Sequence, residues 1–579
     1  MKPTPTCNQS LPHRYAGFSN VCQALDYAAK GETGVNFYNV EGELTESLSY
    51  AALRELATTL AARWGREEHL AGSVIGMIAE TSPEFLVHFY AAQYAGLVPC
   101  PLPCSPRLGA PDAYLASLRT LLTSVAPAAV YAPQSELGII VGAASDARVY
   151  VACEELDAGI VELPSEAQTA PILDRESLAI LQLSSGSTSA PRCVRITQSA
   201  LMKNASAIAT SGLRMRVGDR ACSWLPFYHD MGLVGFSIVA LCSQCSVDYL
   251  KPQAFAARPE AWLRLMSDRG STISYGPAFA WRLVSERIRN GETFDLSALR
   301  VAGVGGDMIP PDLFDRCSTA LVSTGFLRSS FQSSYGMAEA TLAVCMSSVD
   351  EVPNVQSPRA RQPPSNSGQA YVGCGMPLPG VEVRVEDANG QVLGEGCIGE
   401  IVVRGAGVIT QDHSDQSSGR GHPRDDGFFR TGDLGFVSEG EIFPAGRIKD
   451  LVIVRGRNMR AQEIEWAVER LDEVSRGDVA AIGVPDALGE ESLALLIQRL
   501  PRSDHESIVI RQKVQEIVAA NFGVHVDVIF IPRRSFSFTS SGKLARWKLR
   551  TRYLDGGWAI GDRLNQAVDA LESSVEGNL

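Results

Sequence analysis

The chain has 579 residues, a formal net charge of −13, 45% hydrophobic and 20% charged residues, and 13 cysteines. That length exceeds what one core organises, so a large body plus at least one smaller domain is expected, and the composition excludes extensive disorder. The acidic balance disfavours nucleic-acid binding, no apolar run reaches the ~20 residues of a bilayer span, and the first residues lack a signal-peptide core. The expectation is a cytoplasmic enzyme with no membrane span, its cysteines reduced and used mainly as small core residues.

Residues 73–79 carry the Val/Ile pattern of a buried strand and residues 83–96 that of an amphipathic helix. Repeated through the first two-thirds of the chain, this alternation predicts stacked α/β layers. The segment Leu181-Gln-Leu-Ser-Ser-Gly-Ser-Thr-Ser-Ala-Pro-Arg192 then runs an apolar strand into hydroxyls, a glycine and a cation. Gly186 lets successive N–H groups point into one concavity, Ser184, Ser185, Ser187 and Thr188 add short donors, and the Thr188 hydroxyl suits Mg²⁺. Val194-Arg-Ile-Thr197 alternates as a second strand, so this is no Walker loop but a clasp between strands, suited to phosphate. On its own such a loop is most often an ordinary turn.

Residues 232–242 read as a buried apolar segment, and Cys242 and Cys245 form a lone C-x-x-C with no second pair to complete a zinc site. Ser274-Tyr-Gly-Pro-Ala-Phe-Ala-Trp281 looks apolar and long enough to line a hydrocarbon chain. Ser333-Ser-Tyr-Gly-Met-Ala-Glu339 sets an aromatic plate beside a carboxylate. Residues 347–369 hold four prolines and predict an irregular surface insertion; a second polar loop covers 410–426. Thr431-Gly-Asp433 puts a carboxylate at a turn, and Gly446-Arg-Ile-Lys-Asp450 is basic.

Beyond Gly446 the pattern changes. Leu451-Val-Ile-Val454 reads as a strand and Arg455-Gly-Arg-Asn458 as a turn. Ile464, Ala467, Val468 and Leu471 form one helical stripe and Val514, Ile517 and Val518 another. Thr539-Ser-Ser-Gly-Lys543 is a flexible loop near the end. A first domain over 1–446 and a smaller α+β domain over 447–579 are expected.

In this order the motifs resemble the adenylate-forming superfamily of acyl-CoA synthetases, peptide-synthetase adenylation domains and luciferases. Within it, Trp224-Leu-Pro-Phe-Tyr-His-Asp-Met-Gly-Leu233, Arg455-Gly-Arg-Asn458, the early Ser10-Leu-Pro-His-Arg-Tyr15 and the insertion resemble fatty acyl-AMP ligases. The resemblance implies an α/β fold, with a large N-terminal body of several subdomains and a small mobile C-terminal domain. It implies that ATP and a fatty acid form acyl-AMP and pyrophosphate, with Mg²⁺. The acyl group then passes to the phosphopantetheine of an acyl carrier protein from a lipid, polyketide or lipopeptide pathway.

The roles follow from the resemblance. Ser184, Ser185, Gly186, Ser187, Thr188 and Arg192 would cradle phosphates, Thr188 and Glu339 would hold Mg²⁺, and Tyr335, within Ser334, Tyr335, Gly336 and Met337, would stack on adenine. Gly305, Gly306 and Asp307 would lie near the purine edge, with Asp433 and Arg447 at the ribose. Lys543 would reach the α-phosphate and acyl oxygens, and His229 would sit by the acyl carboxylate and the approach of the pantetheine arm. Met231, Tyr275, Gly276 and Phe279 would line the acyl pocket, and Lys449 would be the hinge of the small domain.

The sequence departs from the family pattern where Ser189, Arg192 and Cys193 replace the expected Gly, Lys and Gly; Arg192 keeps the charge. The insertion is also shorter than such ligases carry, which weakens the expectation that CoA is excluded. The competing readings are an acyl-CoA ligase, an amino-acid adenylating enzyme, and a scaffold that binds ATP without turnover. Taken singly, each residue also has a structural alternative as a turn carboxylate, core aromatic or solvated cation.

Overall fold

The computed structural model describes residues 11–15, 17–64, 72–104, 111–143, 148–151, 174–184, 192–288, 293–359, 369–409, 426–454, 457–485, 491–539 and 543–558. The central feature is a nine-stranded sheet. Its order is Met376–Pro377, Ala343–Met346, Phe331–Gly336, Val301–Val304, Ile273–Gly276, Arg220–Ser223, Ser246–Leu250, Gly34–Tyr38 and Leu44–Ser49. From Phe331–Gly336 to Gly34–Tyr38 the strands are parallel; antiparallel strands close both edges. A second, parallel sheet joins Val98–Leu102, Val74–Ile78, Ala129–Ala132 and Arg148–Val151. Parallel strands covered on both faces need continuous apolar runs, which is why Val301–Val304 and Ala129–Ala132 are buried throughout.

The helix Pro83–Tyr94 differs from its expectation. Every residue from Phe85 to Tyr94 is buried, so it is a core helix rather than an amphipathic one, consistent with a sequence that is hydrophobic nearly all round. Its start is fixed locally: Pro83 opens the first turn and the Ser82 side chain accepts the Phe85 N–H. Residues 232–242 are buried as expected, apart from the half-buried Gly235, and they are helical. The proline-rich stretch is less irregular than its composition suggests, because Val355–Gln356 pairs antiparallel with Tyr371–Val372; residues 360–368 and 410–425 lie outside the described residues.

After the antiparallel sheet Val381–Glu386, Gly399–Gly405, Phe429–Ser438 and Glu441–Arg447 comes the C-terminal region. A hairpin of Leu451–Val454 with Arg457–Arg460 precedes a three-stranded sheet of Val479–Pro485, Glu491–Ile497 and Asp527–Phe530. These strands and the helices Ala461–Val468 and Asp504–Phe522 enclose a core of their own, including Val452, Ile464, Val468, Leu495 and Val514. The long helix buries Ser507, Ile510, Val514 and Val518, with Ile517 at the margin of that stripe. No helix among the described residues is long and apolar enough to cross a membrane.

Candidate active site

The parallel strands deliver the chemistry. Val301–Val304 runs directly into Gly305, Gly306 and Asp307, and Phe331–Gly336 carries Ser334, Tyr335 and Gly336 at its carboxyl end. That end of an open α/β sheet is where loops can converge on a ligand. Gly306 has φ +83°, a left-handed backbone that a side chain would strain. Thr341, just beyond Glu339, holds φ +70° without being glycine. Its hydroxyl donates to the Gly407 carbonyl at 2.8 Å, which ties this strained turn down.

Across the cleft, Asp433 on Phe429–Ser438 is the register partner of Arg447 on Glu441–Arg447. Arg447 Nε lies 3.0 Å from Asp433 Oδ1, and the Tyr335 hydroxyl donates to Asp433 Oδ2 at 2.9 Å. The Asp433 carboxylate keeps the Arg447 guanidinium firmly charged, while burial, helped by Asp433, pushes the Tyr335 phenol far up.

His229 and Asp230 face this group. The His229 Nδ1 sits 2.7 Å from Asp230 Oδ1, which also accepts the Met231 N–H at 2.8 Å. Burial opposes the Asp230 charge, but His229, the Met231 amide and Lys543 outweigh it and hold this carboxyl below its usual range.

Lys543 enters from the C-terminal region. Its backbone is fixed by Thr539, whose N–H donates to the Lys543 carbonyl at 2.8 Å and whose Oγ1 accepts the Lys543 N–H at 3.1 Å. Burial and the nearby Arg447 lower the ammonium pKa, and Asp307, Asp433 and Asp230 oppose that shift. Lys543 and Arg447 thus share the site with three carboxylates.

These polar groups form one end of a cavity of about 220 Å³. Tyr335, Asp433, Arg447, Lys543, His229 and Glu339 line that end, and Ile208, Leu213, Met215, Val239 and Ile273 line the rest. A charged mouth opening on an apolar interior suits a molecule with an anionic head and a hydrocarbon tail.

The family model described as "AMP-binding enzyme" matches residues 28–411. A protein named putative acyl-CoA synthetase from Caulobacter vibrioides is 36% identical over 575 residues, covering 96% of this chain and 98% of that protein. The chain belongs to the AMP-binding, adenylate-forming enzyme family. The medium-chain-fatty-acid–[acyl-carrier-protein] ligase JamA of Moorena producens is 29% identical over 583 residues, covering 93% of this chain and 96% of that protein. A solved structure from studies of fatty acyl-adenylate ligases of E. coli and L. pneumophila superposes with TM-score 0.86 and 34% identity, covering 95% of this chain and all of that one.

In this adenylate-forming enzyme the residues singled out by sequence fall into groups. Gly306, Ser334, Tyr335, Gly336, Met337, Glu339, Asp433, Arg447, Lys449, Lys543, His229, Met231 and Tyr275 all line the cavity. Asp307 lines an adjoining cleft of about 990 Å³ between the large body and the C-terminal region, and shares it with Gly306, Tyr335, Asp433 and Lys543. Gly305 is buried beneath, its N–H donating to the Gly276 carbonyl at 3.3 Å.

Gly276 and Phe279 stand apart from the other proposed acyl-pocket residues. Gly276 turns towards Trp262, and Phe279 opens onto that adjoining cleft at 36% exposure, because the helix Ala278–Arg287 leaves the sheet there. The clasp residues Ser185, Gly186, Ser187 and Thr188 lie outside the described residues. Their flanks behave as read: Leu178–Ser184 and Arg192–Thr197 pair antiparallel, with Ser184 opposite Arg192. Sequence reasoning did not single out Asp230, which lines the cavity and contacts His229, although it stood beside His229 in the Trp224–Leu233 motif; a carboxylate next to an imidazole was the available signal.

Proposed function

We propose that the protein activates a fatty acid with ATP and passes the acyl group to the phosphopantetheine thiol of an acyl carrier protein. A carboxylate oxygen attacks the α-phosphorus, the bond to the β-phosphate breaks, and pyrophosphate leaves. The thiol sulfur then bonds to the acyl carbon and AMP departs with the former carboxylate oxygen, the thiol proton being released. The observation that supports this reading is the single cavity joining the Asp433, Arg447 and Lys543 end to an apolar interior.

On this reading Asp433 accepts from the ribose hydroxyls, Tyr335 packs on the base, and Arg447 and Lys543 offset the charge that builds at the α-phosphate and acyl oxygens. His229, held by Asp230, orients the acyl carboxylate. Among the described residues no three His, Cys, Asp or Glu side chains converge on a metal position. That fits Mg²⁺, which keeps waters and substrate phosphates as most of its ligands and needs few from protein. Glu339, with Thr188, would hold it, and the ion would neutralise the pyrophosphate leaving group. The small domain, beginning near Arg447, would swing about Lys449 to withdraw Lys543 before the thiol enters.

The names of the relatives divide between CoA and carrier-protein acceptors, so the acceptor decides the experiment. Purified protein is given ATP, Mg²⁺ and a fatty-acid panel, without acceptor, with CoA, or with phosphopantetheinylated carrier. Acyl-AMP that moves to the carrier and not to CoA supports the proposal, efficient acyl-CoA formation replaces it with an acyl-CoA ligase, and absence of pyrophosphate release ends it. An amino-acid substrate is disfavoured because Asp230, the carboxylate nearest His229, is already engaged by the imidazole and the Met231 amide.

A further inference from the structure

The apolar end of the cavity stops against a wall that the chemistry above does not use, and the early His13-Arg14-Tyr15 phrase is fastened to that wall from outside. Gly306 and Ser334 to Gly336 mark the carboxyl ends of their strands, whereas Ala221, Cys245 and Ile273, at the other end of the cavity, stand at or just before strand starts. The cavity therefore runs along the sheet past the four-residue strand Ile273–Gly276. At ~3.3 Å per residue that is roughly 10–13 Å. An extended chain advances about 1.2 Å per bond, as the polypeptide backbone does, so this length takes about ten carbons.

The wall is a single irregular segment, residues 213–216: Leu213 and Met215 are buried and line the cavity, while Arg214, at φ +46°, and Arg216 are exposed. It is pinned at several points. Arg300 Nη1 donates to the Leu213 carbonyl at 2.9 Å, and its Nε to Asp219 Oδ1 at 2.9 Å. The Met215 N–H donates to the Ala209 carbonyl at 2.9 Å. The Tyr15 hydroxyl, from 200 residues earlier, donates to the Met215 carbonyl at 2.6 Å. The Tyr15 hydroxyl also makes a close contact with His13 Nδ1.

The polar side chains packed around Tyr275 are already paired. The Tyr275 hydroxyl is taken by Gln332 Oε1 at 2.8 Å, and Gln332 Nε2 by the carbonyls of Gly212 and Ser347 at 2.9 and 2.8 Å. A Cβ on Gly303 would overlap the Tyr275 ring, so that glycine lets the ring lie against the sheet.

We propose that this wall is the acyl-length stop: Leu213 and Met215 meet the terminal methyl of a medium-length, unsubstituted hydrocarbon tail, and Tyr15 is the positioning residue that holds Met215 there. The inference rests on the fatty-acid reading above.

The test measures kcat/KM for acyl-AMP formation over a series of saturated acids from short to long, for the parent enzyme and three variants. Met215→Ala removes three heavy atoms of the stop and moves the optimum about two to three carbons longer. The long-to-medium ratio of kcat/KM should rise at least about tenfold, as one methylene in an apolar pocket is worth that much. Met215→Trp moves the optimum shorter, by the opposite change in that ratio. Tyr15→Phe keeps the ring but frees the wall, and broadens the profile towards longer acids through KM more than kcat. A length profile unchanged in the variants that retain activity overturns the stop, while a parent inactive on every acid overturns the fatty-acid reading and the stop with it.

Discussion

Asp433 and Arg447 face each other across adjacent antiparallel strands, and the carboxylate is shared: one oxygen lies 3.0 Å from Arg447 Nε, the other accepts the Tyr335 hydroxyl at 2.9 Å. Asp433 is thereby aimed before any ligand arrives. Asp433→Asn removes the charge that both partners address, and a hydrogen bond to a charged group is worth ~1.5–3 kcal/mol. ATP binding measured by calorimetry should weaken roughly tenfold or more. Tyr335→Phe leaves the ion pair in place and should cost less. Equal losses in the two variants would mean that the phenol, rather than the carboxylate charge, carries the binding.

Lys543 supplies a pH signature. Burial and Arg447 lower its pKa, so the ammonium loses its proton below the ~10.4 of a free lysine. If adenylation uses the charged form, its rate falls as pH rises through that lowered value. Asp307 opposes the shift, so Asp307→Asn should move the alkaline limb of kcat for acyl-AMP formation to lower pH. Lys543→Ala should erase the limb and slow adenylation severely, yet spare thiol transfer from supplied acyl-AMP. A limb that stays where it is in Asp307→Asn, or equal loss of both half-reactions, would remove Lys543 from that role.

Much of this was legible in the chain because strand-to-loop junctions leave a local trace. Gly305-Gly-Asp307 follows the apolar run Val301–Val304, Ser334-Tyr-Gly336 carries an aromatic between small residues, and the structure puts both at the carboxyl end of one sheet. What stayed hidden depends on side-chain direction. Gly276 and Phe279 sit in an apolar phrase next to Tyr275, but only Tyr275 points into the cavity, since strand residues alternate faces and the helix after Pro277 turns away. The helix Pro83–Tyr94 misled for a different reason: its sequence is apolar nearly all round, the pattern of a buried helix, and the expectation of one polar face passed over it. The Tyr15 to Met215 contact spans 200 residues and leaves no periodic signal at all.

Glu469 follows the helix Ala461–Val468, and burial raises its carboxyl to about 7 despite the Gly477 N–H donated to it at 2.6 Å. A folded value above the ~4.3 of a free glutamate means that the fold prefers the protonated form. Its stabilising contribution is complete below the free value and lost as pH rises through 7. Glu469→Gln keeps shape and acceptor but does not ionise, so its Tm should exceed that of the parent at pH above 7 and converge on it under acid conditions. The side chain is part exposed, so the gain is modest, about 1–2 °C. A Tm difference that is constant with pH would exclude titration at this site.

Arg476 joins the C-terminal region to the large body: its Nη1 lies 2.8 Å from Asp312 Oδ2, and its backbone carbonyl accepts Arg282 Nη1 at 2.5 Å. Both contacts exist with Lys543 in the site, so on the proposed alternation of the small domain they favour the adenylating orientation. The ion pair is 31% and 46% exposed, which limits its worth to about 1 kcal/mol, or about a fivefold change in the population of that orientation. Arg476→Ala should therefore slow acyl-AMP formation by no more than about fivefold while leaving transfer from supplied acyl-AMP unchanged or faster. Arg282→Ala, which strips the carbonyl contact, should act in the same direction, and the two together should give more than either alone. A loss confined to acyl-AMP formation is the decisive readout, because a variant that merely folds poorly loses both half-reactions in proportion.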